Sequence, residues 1–174
     1  MAARYSLAKE RAVDLLRRAR ISRAPVPIEK LASLLNAQIV RQPFSGEFSG
    51  VVHRNSDGSA VIGINSSHRP TRQRFTIAHE LGHLLLHADK DLHIDERFPI
   101  GLRSGISGKA IDDHEIEANQ FAAELLMPKE FIERDIEPFI GADTVLVIQK
   151  LAHKYKVSTE AMSIRLSALR YVEL

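Results

Sequence analysis

The chain has 174 residues, 44% of them hydrophobic, which is enough for one domain with a well-filled core. It contains no cysteine, so disulfides and cysteine-ligated zinc sites are excluded, and any metal must be held by histidine and carboxylate side chains. The formal net charge of +2 is too close to balance to indicate nucleic-acid binding from bulk electrostatics.

The N-terminal stretch MAARYSLAKERAVDLLRRAR is charged at short intervals and lacks the apolar core of a secretory signal. No apolar run of about 18 residues, the length needed to cross a membrane, occurs anywhere in the chain. We therefore expect a cytoplasmic protein with no membrane partner.

Two helices lead the predicted fold, and strands follow them. Ser6 is a candidate cap for a helix that runs to about Arg20, and Pro27 can open a second helix over residues 28–35. The segments AQIVRQ, GEFSGVVHR and SAVIGIN are rich in β-branched residues, and the turn residues 55–58 join the last two. This pattern predicts a hairpin with one neighbouring strand.

The second half of the chain returns to helical patterning. A helix is predicted from Pro70 through Ala88, and the stretch 89–111, with its proline and glycines, is predicted to be a long loop. Asp112 and Glu115 have the spacing of a capping box for a helix that runs to Leu126. Pro128 is predicted to end that helix and to open another over KEFIERDI.

The stretch FTIAHELGHLLLH places His79, Glu80 and His83 in an H-E-x-x-H arrangement in the middle of a predicted helix. The two histidines are about 40° apart around the axis, one turn apart on the same face, so both imidazoles can reach one ion. Glu80 falls about 60° beyond His83, where it can take a proton from an attacking water without binding the ion. The ordinary alternative is a core helix with a buried histidine pair, which would leave several polar groups to be satisfied at about 1–3 kcal/mol each.

A catalytic zinc needs a third protein ligand and one open position. His87 lies about 12 Å along the axis from His79, so a rigid helix carries it out of reach. Asp89, six residues after His83, is a weaker option. The helix 112–126 offers Glu115, Glu117 and Glu124, and Glu117 is preferred because the small residues Ala and Asn that follow it allow a close helix contact. Glu115 is otherwise read as a capping carboxylate, and Glu124 as solvent-facing or as a support for the ligands.

The order of HELGHLLLH and EIEANQFAAELLMP after a small hairpin resembles the ImmA/IrrE family of metallopeptidases, over roughly residues 28–138. The resemblance implies that His79 and His83 bind Zn²⁺, that Glu80 is the general acid/base and that Glu117 is the third ligand. It also implies a substrate class, the DNA-binding repressors of the helix-turn-helix type.

The C-terminal segment 141–174 is predicted to form two helices capped by Asp143 and Ser158, and it partly resembles the last two helices of a helix-turn-helix. One interpretation points Thr159, Ser163 and Arg165 toward DNA. The interpretation we favour packs these helices on the peptidase or on a partner repressor, because the near-zero net charge gives little support for phosphate binding.

The predicted fold class is α+β, with a zincin-like peptidase domain over residues 1–140 that packs a three-stranded sheet on helices, and a helix-turn-helix-like segment over 141–174. The predicted function is zinc-dependent endoproteolysis of a helix-turn-helix repressor, which would derepress phage, mobile-element or stress-response genes. The alternative is a non-proteolytic regulator that binds a repressor or DNA through its C-terminal helices. Strand 47–53 is a candidate sheet edge, along which an extended substrate could add as another strand. The candidates for an oxyanion stabiliser are His87, His93, His114 and Tyr5, and the sequence does not choose among them.

Overall fold

In the computed structural model of the chain, the residues that can be described are 3–45, 48–87, 92–95, 113–139 and 141–172. Helices and strands are interspersed up to residue 95, and the elements described from residue 113 onward are all helical. In chain order they are α1 (Tyr5–Arg18), α2 (Ile28–Leu34), β1 (Ala37–Gln42), β2 (Gly50–Arg54), β3 (Ala60–Asn65), α3 (Pro70–Leu86), β4 (Leu92–Asp95), α4 (Asp113–Leu126), α5 (Lys129–Ile136), a 3-10 turn (Glu137–Phe139), α6 (Thr144–Tyr155) and α7 (Thr159–Ala168). The α+β class is confirmed.

The sheet has the strand order β1-β3-β2-β4, one strand more than predicted. The hairpin is confirmed: β2 and β3 are antiparallel, and the turn between them closes when the Asn55 amide donates to the Ser59 carbonyl at 2.8 Å, with Gly58 at φ +82°. The added strand β4 lies within the predicted loop 89–111 and pairs with β2. It was missed because four residues are too few to establish an alternating pattern.

The position of β2 corrects one expectation about the substrate. This strand is hydrogen-bonded to β3 on one side and to β4 on the other, so it is interior and its edge is not free to receive a peptide strand. The outer strands of the described sheet are β1 and β4. On the β2 side of the hairpin, the outer strand is therefore β4.

Helix α3 is the centre of the fold. Every residue from Thr76 to Leu84 is buried, so this helix is enclosed on all sides, as a central core helix is expected to be. It packs against α4, β2 and β3, and α1 covers α4. Ala8, Ala12, Leu15 and Leu16, which helical spacing places on one side of α1, are buried, and so is Ala19 just after its end.

Helix ends agree with the sequence in most places. Pro70 occupies the first turn of α3, α5 begins after Pro128, and Asp143 and Ser158 each accept a backbone N–H of the helix they precede. The prediction for Ser6 is wrong, because α1 already begins at Tyr5 and Arg4 is its N-terminal cap position. The capping box at Asp112 lies outside the described residues.

The two C-terminal helices pack against the rest of the protein. Leu151, Tyr155 and Leu166 are buried in the common core, whereas Leu146 is 44% exposed. The Tyr155 hydroxyl donates to Asp135 Oδ2 of α5 at 2.8 Å. Among the described residues, no helix combines the length and the apolar character that a membrane crossing requires.

Candidate metal centre

The H-E-x-x-H side chains lie where the central helix α3 meets α4. His79 and Glu80 are fully buried and His83 is 3% exposed. The two helices approach closely at Gly82, where an added Cβ would lie only 3.1 Å from the Ala118 Cα. The glycine between the two motif histidines therefore permits the contact that brings α4 to them.

Three side chains converge at this helix contact. The Nε2 atoms of His79 and His83 are 2.9 Å apart, and each lies 3.3 Å from an oxygen of the Glu115 carboxylate. Ligands about 2.0–2.1 Å from a tetrahedral ion are separated from one another by roughly 3.3–3.4 Å. Two imidazole nitrogens and a carboxylate at these separations are a suitable donor set for one divalent ion, and they form the one group of this kind in the described part of the chain.

Glu117, the preferred third ligand from the sequence, is not brought to the histidine pair. Residues 115 and 117 are about 200° apart around a helix, so their side chains leave α4 in opposite directions. The Glu117 carboxylate accepts from Arg4 and lies 3.0 Å from His87 Nε2. In the structure Glu115, rather than Glu117, is therefore the carboxylate beside the two histidines.

A signal for Glu115 was present in the sequence. Asn119 follows it by four residues and so shares its face of α4, about 40° away. In the structure the Asn119 Oδ1 atom lies 3.2 Å from His79 Nδ1. One face of α4 thus supplies the candidate ligand Glu115 and also Asn119, which orients the candidate ligand His79. The small residues after Glu117 gave no information about the direction in which the Glu117 side chain leaves the helix.

His83 is oriented by a second set of residues. Its Nδ1 atom lies 3.0 Å from His87 Nδ1, and His87 Nε2 lies 3.0 Å from Glu117 Oε2. His87 is therefore excluded from the ligand group, as the sequence geometry predicted, but it contacts one of its members. Both ring nitrogens of His87 are engaged inside the protein, so it is not a suitable oxyanion stabiliser.

The environment keeps Glu117 ionised. Hydrogen bonds from the Arg4 side chain outweigh burial and lower the pKa of Glu117 to about 2. Burial lowers the pKa of His87 below its ordinary value, although its hydrogen bond with Glu117 opposes this shift. These shifts favour an ionised Glu117 next to a neutral His87.

Glu80 lies on α3 beside the start of β2. A Cβ added to Gly50 would come within 3.0 Å of Glu80 Oε1 and would collide with the Thr76 methyl group. Glycine at this position thus allows the strand to pack directly on the helix beside the candidate general base. Nearby, Arg72 of α3 donates to Ser49 Oγ at 2.8 Å and ties the same two elements together.

Other residues proposed from the sequence have different places. Asp89 lies outside the described residues, as does the side chain of His93. Tyr5 is 54% exposed, and the His114 ring stacks on His87 with centroids 4.1 Å apart. Neither arrangement identifies an oxyanion stabiliser.

Glu124 and Arg165 form a buried ion pair, which corrects two expectations. Glu124 is neither solvent-facing nor beside the histidines, and Arg165, at 6% exposed, does not point toward DNA. The Arg165 Nε atom also donates to the Met127 carbonyl at 2.9 Å. Packing of α7 on the preceding helices is therefore the interpretation that the structure supports for this residue.

Comparisons with known proteins agree with this geometry. A model of the Peptidase_M78 family, described as the IrrE N-terminal-like domain, matches residues 32–167. The radiation response metalloprotease IrrE of Deinococcus radiodurans is 37% identical over 102 residues, and that of Deinococcus deserti is 40% identical over 99 residues. These alignments cover 58% and 56% of this chain but only 29% and 32% of the Deinococcus proteins, so the chain spans about a third of their length.

A phage protein matches over a larger share of its own length. Immunity region protein 2 of Bacillus phage phi105 is 28% identical over 124 residues, which are 71% of this chain and 70% of the phage protein. The family and the His-His-Glu group together indicate a bound metal ion. Because the family model spans well over half of the sequence, this chain belongs to the Peptidase_M78 family of IrrE-like metallopeptidases, as its two helical motifs predict.

Proposed function

We propose that this protein is a zinc-dependent endopeptidase that cleaves a helix-turn-helix repressor. The observation that carries the proposal is the convergence of His79 Nε2, His83 Nε2 and the Glu115 carboxylate within 2.9–3.3 Å, next to a buried Glu80. Three ligands of this type leave one position of a tetrahedral zinc open, as catalytic sites require.

The protein's own residues have separate tasks in the proposed reaction. Zinc supplies the Lewis acidity that polarises the scissile carbonyl and makes water a better nucleophile at neutral pH. Glu80 takes the proton of the attacking water and later gives it to the leaving amine. Asn119 and His87 hold the rings of His79 and His83 so that both Nε2 atoms face the same point.

Support for a repressor substrate comes from the family and the relatives. The Deinococcus relatives are radiation response metalloproteases, and the phage relative belongs to an immunity region, which supports a regulatory role. A folded repressor is a larger substrate than a peptide. The α6 surface carries Val145 and Leu146, exposed by 61% and 44%, which are suited to an additional contact with such a substrate.

The test is incubation of the protein with a small helix-turn-helix repressor from the same genome, followed by intact-mass spectrometry. We expect the zinc-loaded protein to cut the repressor at one site. Glu80→Gln should keep zinc and fold but lose at least about 10²-fold in cleavage rate, the scale of a lost general base. Glu130→Gln, an exposed carboxylate on α5, is the matched control and should cleave at the wild-type rate.

Two results would contradict the proposal. Undiminished cleavage by purified Glu80→Gln would remove Glu80 from the mechanism. Derepression by Glu80→Gln in cells, equal to that by the wild type and without any cut repressor, would instead establish the non-proteolytic regulator.

A further inference from the structure

A line of four side chains connects the candidate ligand His83 to the N-terminal residues that precede α1. His83 contacts His87 at the end of α3, His87 contacts Glu117 of α4, and Glu117 contacts Arg4. We name these four residues the His83–Arg4 chain. Each neighbouring pair in it is joined at 3.0 Å or less.

Once a metal binds to His83, the direction of each hydrogen bond in the His83–Arg4 chain is fixed. A metal at His83 Nε2 requires the proton of that neutral imidazole to be on Nδ1. This N–H then donates to His87 Nδ1, which must be the unprotonated nitrogen of its ring. His87 consequently carries its proton on Nε2 and donates it to the Glu117 carboxylate, which only accepts.

Arg4 fixes the far end of the His83–Arg4 chain. Glu117 Oε1 accepts from the Arg4 backbone amide at 2.7 Å and from Nε at 3.0 Å, while Oε2 accepts from Nη2 at 2.8 Å. Two parallel side-chain bonds and one backbone bond hold the carboxylate in one orientation. Glu117 and His87 are each 2% exposed, whereas the Arg4 side chain is half exposed.

The two histidines thus differ in what orients them. The Nδ1 atom of His79 contacts Asn119, which belongs to the helix that also carries Glu115. The Nδ1 atom of His83 contacts His87, and from there the contacts lead through Glu117 to Arg4, which precedes α1 and is 113 positions from Glu117 in the chain. The orientation of His83 is therefore sensitive to how the N-terminal residues are docked.

We propose that Arg4 is a positioning residue of the metal site, which acts through Glu117 and His87 to fix the tautomer and the ring orientation of His83. This inference rests on the proposed function, because it takes the ion to bind at His79, His83 and Glu115. It has a reciprocal consequence: metal binding strengthens the docking of the N-terminal residues by the same factor by which docking strengthens metal binding.

The experiment measures zinc affinity of the full chain by competition with a chromophoric chelator. Removal of a group that orients a metal ligand typically lowers metal affinity by about 10–100-fold. We expect a loss in this range for His87→Phe, which has no acceptor for His83, and a loss of about 10-fold for Arg4→Gln. Arg11→Gln, an exposed arginine on α1, is the matched control and should bind zinc as tightly as the wild type.

A conservative replacement separates positioning from simple packing. The amide of His87→Gln can accept from His83 and donate to Glu117, so this variant should recover most of the affinity that His87→Phe loses. Nitrogen-15 spectra of the imidazoles give a second readout, in which zinc-loaded wild type should show His83 protonated at Nδ1 and His87 protonated at Nε2. Arg4→Gln should broaden or shift the His87 and His83 signals of the zinc-loaded protein, whereas Arg11→Gln should leave both unchanged.

The outcomes distinguish this inference from the proposed function. Wild-type protein that binds no zinc would contradict both. Wild-type protein that binds zinc, together with unchanged zinc affinity in Arg4→Gln and His87→Phe, would overturn the inference alone. A lower melting temperature of the zinc-free Arg4→Gln variant with unchanged zinc affinity would also overturn it, because Arg4 would then have only a structural role.

Discussion

Helix α4 carries two carboxylates in contrasting environments: the Glu115 side chain is 29% exposed, whereas Glu124 is buried. Glu115, near its start, faces two imidazoles whose Nε2 atoms are themselves 2.9 Å apart. Glu124, near its end, faces one guanidinium, and its other oxygen accepts the Lys129 backbone amide that begins α5. At Glu115 several atoms that can bind a metal converge on one point. At Glu124 the negative charge is paired with the positive charge of Arg165 within the protein.

This difference shows how a charged cluster at a helix contact can be interpreted. A charge pair such as Glu124–Arg165 is self-sufficient, and it joins α7 to α4 without any external component. A cluster of two imidazoles and a carboxylate has ligand atoms that an ion can bring together, and partners behind those atoms that orient them. Convergence of ligand atoms, rather than burial of charge, therefore indicates function.

The largest expected effect is at Glu115. Glu115→Gln replaces an anionic ligand by a neutral amide, so we expect the purified protein to lose most of its zinc and, with it, repressor cleavage. Metal analysis by mass spectrometry checks this result. Zinc retention in Glu115→Gln together with its loss in Glu117→Gln would return the third ligand to Glu117.

The second prediction concerns the other carboxylate of α4. Glu124→Gln leaves the buried Arg165 guanidinium without its counter-charge, which should lower the free energy of unfolding by about 3–5 kcal/mol. Zinc-free urea denaturation measures the change, and Glu130→Gln on the exposed side of α5 is its control. Equal stabilities of Glu124→Gln and the wild type would show that the ion pair does not join α7 to α4.

A smaller effect is expected at the helix contact between these two carboxylates. Gly82→Ala places a methyl group 3.1–3.2 Å from the Ala118 backbone and the Phe121 ring, so α4 must move away by a few tenths of an ångström. We expect the overpacking cost of about 1–3 kcal/mol to exceed the roughly 1 kcal/mol gained from alanine's helix propensity. Thermal unfolding with and without zinc should show a lower stability and a smaller stabilisation by the metal. A more stable variant with unchanged zinc affinity would contradict the close-contact role of Gly82.

The smallest effect is a pH dependence at the α5–α6 contact. Burial raises the pKa of Asp135, but hydrogen bonds from Lys154 and Tyr155 outweigh it and lower the pKa below 3.8. Asp135 therefore contributes stability that is present above its unfolded pKa of about 3.8 and is lost as the pH falls through its folded pKa. Between pH 5 and pH 2, the free energy of unfolding should fall less steeply in Asp135→Asn than in the wild type, by the contribution of about one titrating carboxyl group. Urea denaturation across that pH range measures the difference. Asp14→Asn on α1 is the control, and an identical acid profile in Asp135→Asn and the wild type would refute the assignment.

The sequence predicted the histidine motif of α3 better than it predicted the contact between Glu124 and Arg165. His79, Glu80 and His83 lie four residues or fewer apart on one helix, so helical periodicity alone places them together. The caps at Asp143 and Ser158 were predictable for the same reason, because a cap is a contact between near neighbours in the chain. The pairing of Arg165 with Glu124, 41 positions away, has no local signature and required the packed structure.

The amino-acid sequence by itself determined the α+β class, the helix that carries the H-E-x-x-H motif and the family, because these depend on composition and on short spacings along the chain. Tertiary structure decided which carboxylate of α4 faces the histidines, since the rotation of one helix against another selects Glu115 over Glu117. It also decided that β2 is an interior strand, that Arg165 is buried and that Arg4 is connected to His83 through Glu117 and His87. These contacts join residues far apart in the chain, and their energies depend on packing that no local pattern encodes.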